Sequence, residues 1–228
     1  MKRPSPITDR LLALADSSHA AFLRNLIPTI PADTVLGIKI PVLRKFAKEV
    51  GHAAETAAWL QALPHTYLEE NLLHALLLNG LRDPKEIFAA LDAFLPFVDN
   101  WAVCDSLFPK ALQKLPEEAF AYAERCMASD HPFTARWGIG VFLQMGLDAH
   151  FDPKQLQAIA AVPCEHPYVA LMVAWYFATA LAKQWDAALP YLVERTLPLA
   201  VHRKTIQKAV ESYRIPKDRK SLLKALRS

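Results

Sequence analysis

The sequence predicts an all-α protein, a right-handed α-solenoid of about six antiparallel helix pairs with a concave face. Three observations carry this. Trp101, Trp137 and Trp175 fall 36 and 38 residues apart. His131-Pro132-Phe133 returns 35 residues later as His166-Pro167-Tyr168, and Asp83-Pro84-Lys85 returns 69 residues later as Asp152-Pro153-Lys154. A period of roughly 35–40 residues in helix-rich sequence marks stacked helical repeats, each burying its apolar face against the next. Strand signals are nearly absent: Gly occurs only 6 times, and alternating β-branched runs are missing.

The elements are set by their start signals. Pro41, Pro84, Pro116, Pro132, Pro153, Pro167 and Pro216 each stand just before a helical pattern, where proline suits the first turn. Asp83 and Asp152 precede their prolines as N-caps, since a short carboxylate satisfies the orphan N–H groups of a first turn. Helices are expected near 8–27 with a break around Ser17-Ser18, then 41–50, 53–63, 67–80, 84–95, 100–114, 116–128, 132–146, 153–161, 167–183, 186–196, 200–214 and 216–226. The connections are short, as antiparallel helix pairs require. No linker divides the chain, so residues 1–228 are expected as one domain, with residues 1–7 mobile around Pro4 and Pro6. Helices 84–95 and 116–128 carry Glu86, Asp92, Glu117, Glu118 and Glu124 and read as outer and solvated. Those beginning near 100, 132, 167 and 200 carry the tryptophans, Asp105, Arg136 and a basic set, and read as inner.

Composition bounds the function. With 53% apolar and 21% charged residues, 228 residues suffice for a large core in a soluble protein. No run of about 18 apolar residues offers a membrane span, and Met1–Arg10 lacks the apolar stretch of a secretory signal. The odd, scattered Cys104, Cys126 and Cys164 have no metal-binding spacing and read as reduced thiols of a cytoplasmic protein. The net charge of +3 conceals a division: +4 over residues 1–50, −8 over 51–196 and +7 over 197–228. Basic ends on an acidic middle fit a polyanion gripped at two places, or simply a solvated basic helix. Lys39, Arg44 and Lys45 at one end, and Arg203, Lys204 and Lys208 at the other, are the candidate contacts to such a polyanion.

The residues fit for chemistry cluster in the inner helices. Trp101 and Asp105 are four apart and share a helix face. Pro109 stands four residues further on, so it removes a hydrogen bond from the Asp105 carbonyl and should kink or open the helix there. An aromatic plate beside a carboxylate at an opened turn makes a candidate site. The alternative is that Trp101 packs in the core and Asp105 pairs with a neighbouring arginine. Arg136, one repeat later, is placed to hold Asp105 ionised and oriented, or to form a plain ion pair between repeats. Trp175 supplies a second aromatic wall or is buried among Val173, Ala174, Tyr176 and Phe177. Trp137 should point into the core. His131 and His166 precede prolines and read as first-turn residues, not metal ligands. Glu69 and Glu70 are adjacent, face different directions and make no catalytic dyad. No Gly-rich phosphate loop, HExxH, GxSxG or CxxC occurs, so the enzyme classes those motifs mark find no support, and neither a metal nor a cofactor is expected.

Four stretches together resemble the bacterial DNA alkylation repair enzymes built from HEAT-like repeats, the alkylpurine DNA glycosylases of that fold. Gly37-Ile38-Lys39-Ile40-Pro41-Val42-Leu43-Arg44-Lys45 is similar to that family's early Gly-Val-Arg-x-Pro-x-Leu-Arg segment. Trp101 through Asp105, with Pro109, resembles its Trp-x-x-x-Asp helix. Ala135-Arg136 followed by Ile139 resembles its Arg-Arg-x-Ala-Ile helix with the first Arg lost, and Ala174-Trp175 its later aromatic position. The chain departs from the pattern after Trp175, where Tyr176 to Leu181 carries little of the family's polar and basic character; the ending around Arg203 to Ile215 resembles a divergent subgroup. The resemblance implies hydrolysis of the N-glycosidic bond of purines alkylated at N3 or N7. Asp105 would stabilise the positive deoxyribose, Trp101 and Trp175 would hold the cationic nucleotide, and Arg136 would orient Asp105 or contact a phosphate. The implied partner is duplex DNA bearing alkylated purines, met by a monomer. The competing expectations are a noncatalytic HEAT-repeat protein that binds branched or damaged DNA, and a protein-interaction scaffold.

Overall fold

The structure, a computed structural model, describes residues 5–227. Among them there is no β-strand, and fourteen α-helices succeed one another. The fold is all-α and solenoid-like, with helices packed against their neighbours along the chain. The helices gather into two compact units divided after Leu112.

The first unit holds α1 (Pro6–Leu12), α2 (Ser17–Leu26), α3 (Ile40–Val50), α4 (Ala54–Gln61), α5 (Leu68–Leu78), α6 (Pro84–Phe94) and α7 (Trp101–Ser106). α5 is its centre and packs against α1, α3, α6 and α7. Leu68, Leu72, Leu73, Ala75 and Leu78 are buried on it. Each buried leucine side chain contributes about 1.5–3 kcal/mol. The helix expected over 8–27 is two helices, and the break comes before Ser17 because Asp16 caps α2. Its Oδ1 accepts from the N–H groups of Ser18 and His19, both at 3.1 Å, and its bonds to these two residues lower the Asp16 pKa. Of the seven residues expected to be mobile, 1–4 lie outside the described residues. Ser5 caps α1 through its hydroxyl at 3.1 Å from the Thr8 N–H, and Ile7 is fully buried.

The helix expected over 100–114 is also divided. α7 stops at Ser106, and a short 3-10 turn over Lys110–Lys114 comes after it. The cause is Pro109, as the sequence implies: without an N–H it cannot continue the ladder, and Leu107 is already extended at φ −88°, ψ 100°.

The second unit holds α8 (Pro116–Met127), α9 (Pro132–Met145), α10 (Pro153–Ala160), α11 (Pro167–Lys183), α12 (Trp185–Val193), α13 (Leu199–Glu211) and α14 (Lys217–Ala225). α9, α11 and α13 form one row, α11 in the middle; α8 packs on α9, α10 and α12 on α11, and α14 on α13. Gly138 lets α8 and α9 approach: a Cβ there would lie 2.5 Å from the Ala123 carbonyl oxygen. Trp137 points into the core as expected, buried with its ring edge-on to Tyr122 at 5.7 Å. The repeated His-Pro phrase is a cap. His131 Nδ1 accepts from the Thr134 N–H at 3.2 Å and His166 Nδ1 from the Tyr168 N–H at 3.3 Å, which places the imidazole proton on Nε2. Asp83 and Asp152 cap α6 and α10, accepting from the Glu86 N–H at 3.1 Å and the Lys154 N–H at 2.8 Å. Among the seven start-signal prolines Pro216 differs, standing at the N-cap of α14 rather than inside it.

Among the described residues no helix is long and apolar enough to cross a membrane, and no group of three or more His, Cys, Asp or Glu is placed to hold a metal ion.

Candidate functional site

In the first unit the candidate residues are Trp101 and Asp105 on α7, and Lys39, Arg44 and Lys45 at α3. Asn100, wholly buried, starts α7: its side-chain oxygen accepts from the Val103 N–H at 3.0 Å, while its amide nitrogen donates to Asp99 at 2.8 Å. This cap fixes where Trp101 leaves the backbone. Trp101 is half-buried, and its indole N–H points to the Leu26 carbonyl at the end of α2, 3.4 Å away. Asp105 is half-buried one turn later on the same face. Val103 and Cys104, between them, are buried and pin the helix to the core. Lys39 stands at the N-cap position of α3, and Arg44 and Lys45 lie in its first turns. Lys39 and Arg44 are exposed there.

How α3 is presented depends on a residue that makes no catalytic dyad. Glu69 is fully buried on α5, and its carboxylate accepts three backbone N–H groups in succession: Leu36 at 2.9 Å, Gly37 at 2.7 Å and Ile38 at 3.2 Å. A buried carboxylate is tolerated only when satisfied in this way. Gly37 sits at φ +86°, and a Cβ there would lie 2.1 Å from the Asp16 carbonyl oxygen. Only glycine fits such a place. Glu70 serves a different end, accepting from the Thr66 and Tyr67 N–H groups at 3.0 Å and from the Thr8 hydroxyl at 2.5 Å, so that it caps α5 and ties α1 to it. The adjacent glutamates do face apart, and both are structural anchors.

In the second unit the candidates are Arg136, Trp175, Arg203, Lys204 and Lys208. Arg136 is buried, 4% exposed, and its guanidinium donates to the Tyr168 carbonyl at 2.6 Å, joining α9 to α11. Trp175 is 42% exposed on α11 although Ala174, Tyr176 and Phe177 beside it are buried, so it is not sealed among its apolar neighbours. Lys208 of α13 lies over its ring, with Nζ 5.5 Å from the centroid. Lys204 donates to Gln207 at 3.1 Å, and Arg203 is exposed. The structure thus brings Trp175 and Lys208 together, and Trp101 and Asp105 onto one face. Asp105 belongs to the first unit and Arg136 to the second.

A residue that the sequence does not single out is Asn79, at the end of α5. Its side-chain nitrogen donates to the Ser106 carbonyl at 2.7 Å, and its side-chain oxygen accepts from the Phe108 N–H at 2.6 Å. Both partners flank the point where α7 opens.

The sequence profile of the DNA alkylation repair enzyme family matches residues 7–167, well over half of the chain. Lys39, Arg44, Lys45, Trp101, Asp105 and Arg136 lie within the matched segment; Trp175, Arg203, Lys204 and Lys208 lie beyond it. No curated protein matches the chain.

Proposed function

The chain belongs to the DNA alkylation repair enzyme family, and on that premise we propose that it hydrolyses the N-glycosidic bond of N3- or N7-alkylated purines in duplex DNA. The observation that supports this reading best is Asp105: a half-buried carboxylate on the last turn of α7, sharing a face with Trp101, where Pro109 opens the helix. A purine alkylated at N3 or N7 carries a positive charge and departs as a neutral base, so one carboxylate suffices and no general acid is needed. As the bond breaks, positive charge passes to the deoxyribose. Asp105 stabilises that charge, holds the water that adds to the sugar carbon and takes up the proton that this water loses, and charge complementarity of this kind contributes most where the group is already fixed. Trp101 gives the cationic nucleotide an aromatic face.

The test is chromatographic: methylated duplex DNA is incubated with the protein and free 7-methylguanine is measured, with Asp105→Asn as the comparison. Release that is lost in Asp105→Asn supports the proposal, and the absence of release at high protein concentration rejects it.

A second reading, a noncatalytic DNA-binding protein, is favoured by the +7 charge of residues 197–228, all of it beyond the family match. Arg203, Arg214, Lys217, Lys224 and Arg227 are exposed there, and Tyr213 is wholly exposed between α13 and α14. Under that reading duplex binding falls steeply with salt while no base is released.

A further inference from the structure

The opened end of α7 would fray if nothing held it. α7 is only six residues long, its last carbonyls have no continuing turn, and Pro109 brings no N–H to the Asp105 carbonyl. The Leu107 N–H closes back on the Val103 and Cys104 carbonyls at 3.1 and 3.2 Å. The Ser106 carbonyl and the Phe108 N–H point away from that ladder, and one side chain takes both: Asn79, at 2.7 and 2.6 Å. A primary amide offers a donor and an acceptor side by side, so it replaces two missing backbone partners at once. Aspartate supplies only the acceptor, and glutamine sets the amide one methylene too far out. Asn79 is itself fixed, since it ends α5 with its N–H on the Ala75 carbonyl at 3.0 Å, and α5 packs on α7.

We propose that Asn79 is a positioning residue for Asp105: its amide locks the break between Ser106 and Phe108 and so holds the preceding carboxylate in one orientation. This rests on the reading of Asp105 as the charge-stabilising group. The lock matters because a carboxylate works on a developing charge only from a fixed place, and a displacement of about 1 Å costs on the order of a hundredfold in rate.

The experiment uses the full chain, with two readouts. In the first, amide hydrogen exchange is measured at Asp105 to Phe108 in wild type, Asn79→Ala and Asn79→Asp, with Ile159→Val as a destabilised control away from α7. Exchange there should be about tenfold faster in Asn79→Ala and less so in Asn79→Asp, and unaltered in Ile159→Val. In the second, base release is measured at saturating and limiting DNA. Asn79→Ala should lower kcat about 10- to 100-fold with KM within about twofold, and Asn79→Asp should recover part of the loss. If Asn79→Ala fails to fold, Asn79→Ser carries the same comparison. Unchanged exchange in Asn79→Ala overturns the lock. Faster exchange with an unchanged kcat overturns the positioning role. A wild type that releases no base overturns the reading of Asp105 and the positioning role with it, while the exchange result still decides the lock on its own.

Discussion

Acidification should unfold this protein earlier than its carboxylates alone would cause, because a neutral histidine pair is built into the first unit. His74 is 3% exposed, and its ring lies flat on Phe94, centroids 3.9 Å apart and planes 3° from parallel. Its Nδ1 is 2.9 Å from Nε2 of His65, which stacks on Trp59 at 4.2 Å. Burial, reinforced by the neighbouring His65, pushes the His74 pKa down from 6.5 to about 3. Burial also lowers that of His65, partly offset by Glu70. Linkage sets the sign. Between about 3 and 6.5 the unfolded chain binds a proton at His74 that the folded chain refuses, so stability is complete above 6.5 and is lost as pH falls through that window. The loss is about 1.4 kcal/mol per pH unit, so His74 alone removes about 2 kcal/mol between pH 7.5 and 5. The perturbation is pH, and the comparison is His74→Leu, which keeps an apolar group against Phe94 and cannot titrate. Urea unfolding of both proteins at pH 7.5, 6.5 and 5 gives two slopes. The wild type should lose about 2 kcal/mol more than the variant over that range. Equal slopes would mean that His74 does not couple stability to pH.

The anchors and the cations lead to two more outcomes. Glu69→Ala leaves the N–H groups of Leu36, Gly37 and Ile38 without their acceptor, so urea unfolding should show a loss of about 3 kcal/mol or more. A variant within about 0.5 kcal/mol of wild type would remove the anchor from the account. Lys208→Met should weaken duplex binding evenly across sequences and reduce the slope of log K against log salt by about one, measured by fluorescence titration; an unchanged slope would mean that Lys208 meets no phosphate.

Helix periodicity and caps are legible in the sequence because they depend on near neighbours. Asp83, Asp152, His131 and His166 each cap the helix that begins one residue later, and a proline comes directly after each. Pro109 marks the opening beside Asp105 for the same local reason, and the helix ends there instead of kinking. The long-range partners are not legible. Glu69 meets Leu36 and Ile38 across more than thirty residues, and Asn79 meets Ser106 and Phe108 across nearly as many. No spacing rule connects such positions, because the link is made by packing α5 against α3 and α7. Trp175 shows the same limit: its apolar neighbours suggest burial as readily as exposure, and only the place of α11 in its row leaves the indole open to Lys208. The break expected around Ser17-Ser18 lies just before them, since Asp16 is the cap and the serines already belong to α2.

The most direct test of the central claim is single-turnover release of 7-methylguanine from methylated duplex DNA, with duplex affinity measured alongside. If the claim holds, the wild type releases base, and the rate is about a hundredfold lower or worse in Asp105→Asn at unchanged affinity. Equal rates in the two proteins, or a wild type that binds the duplex tightly and frees no base, would contradict it.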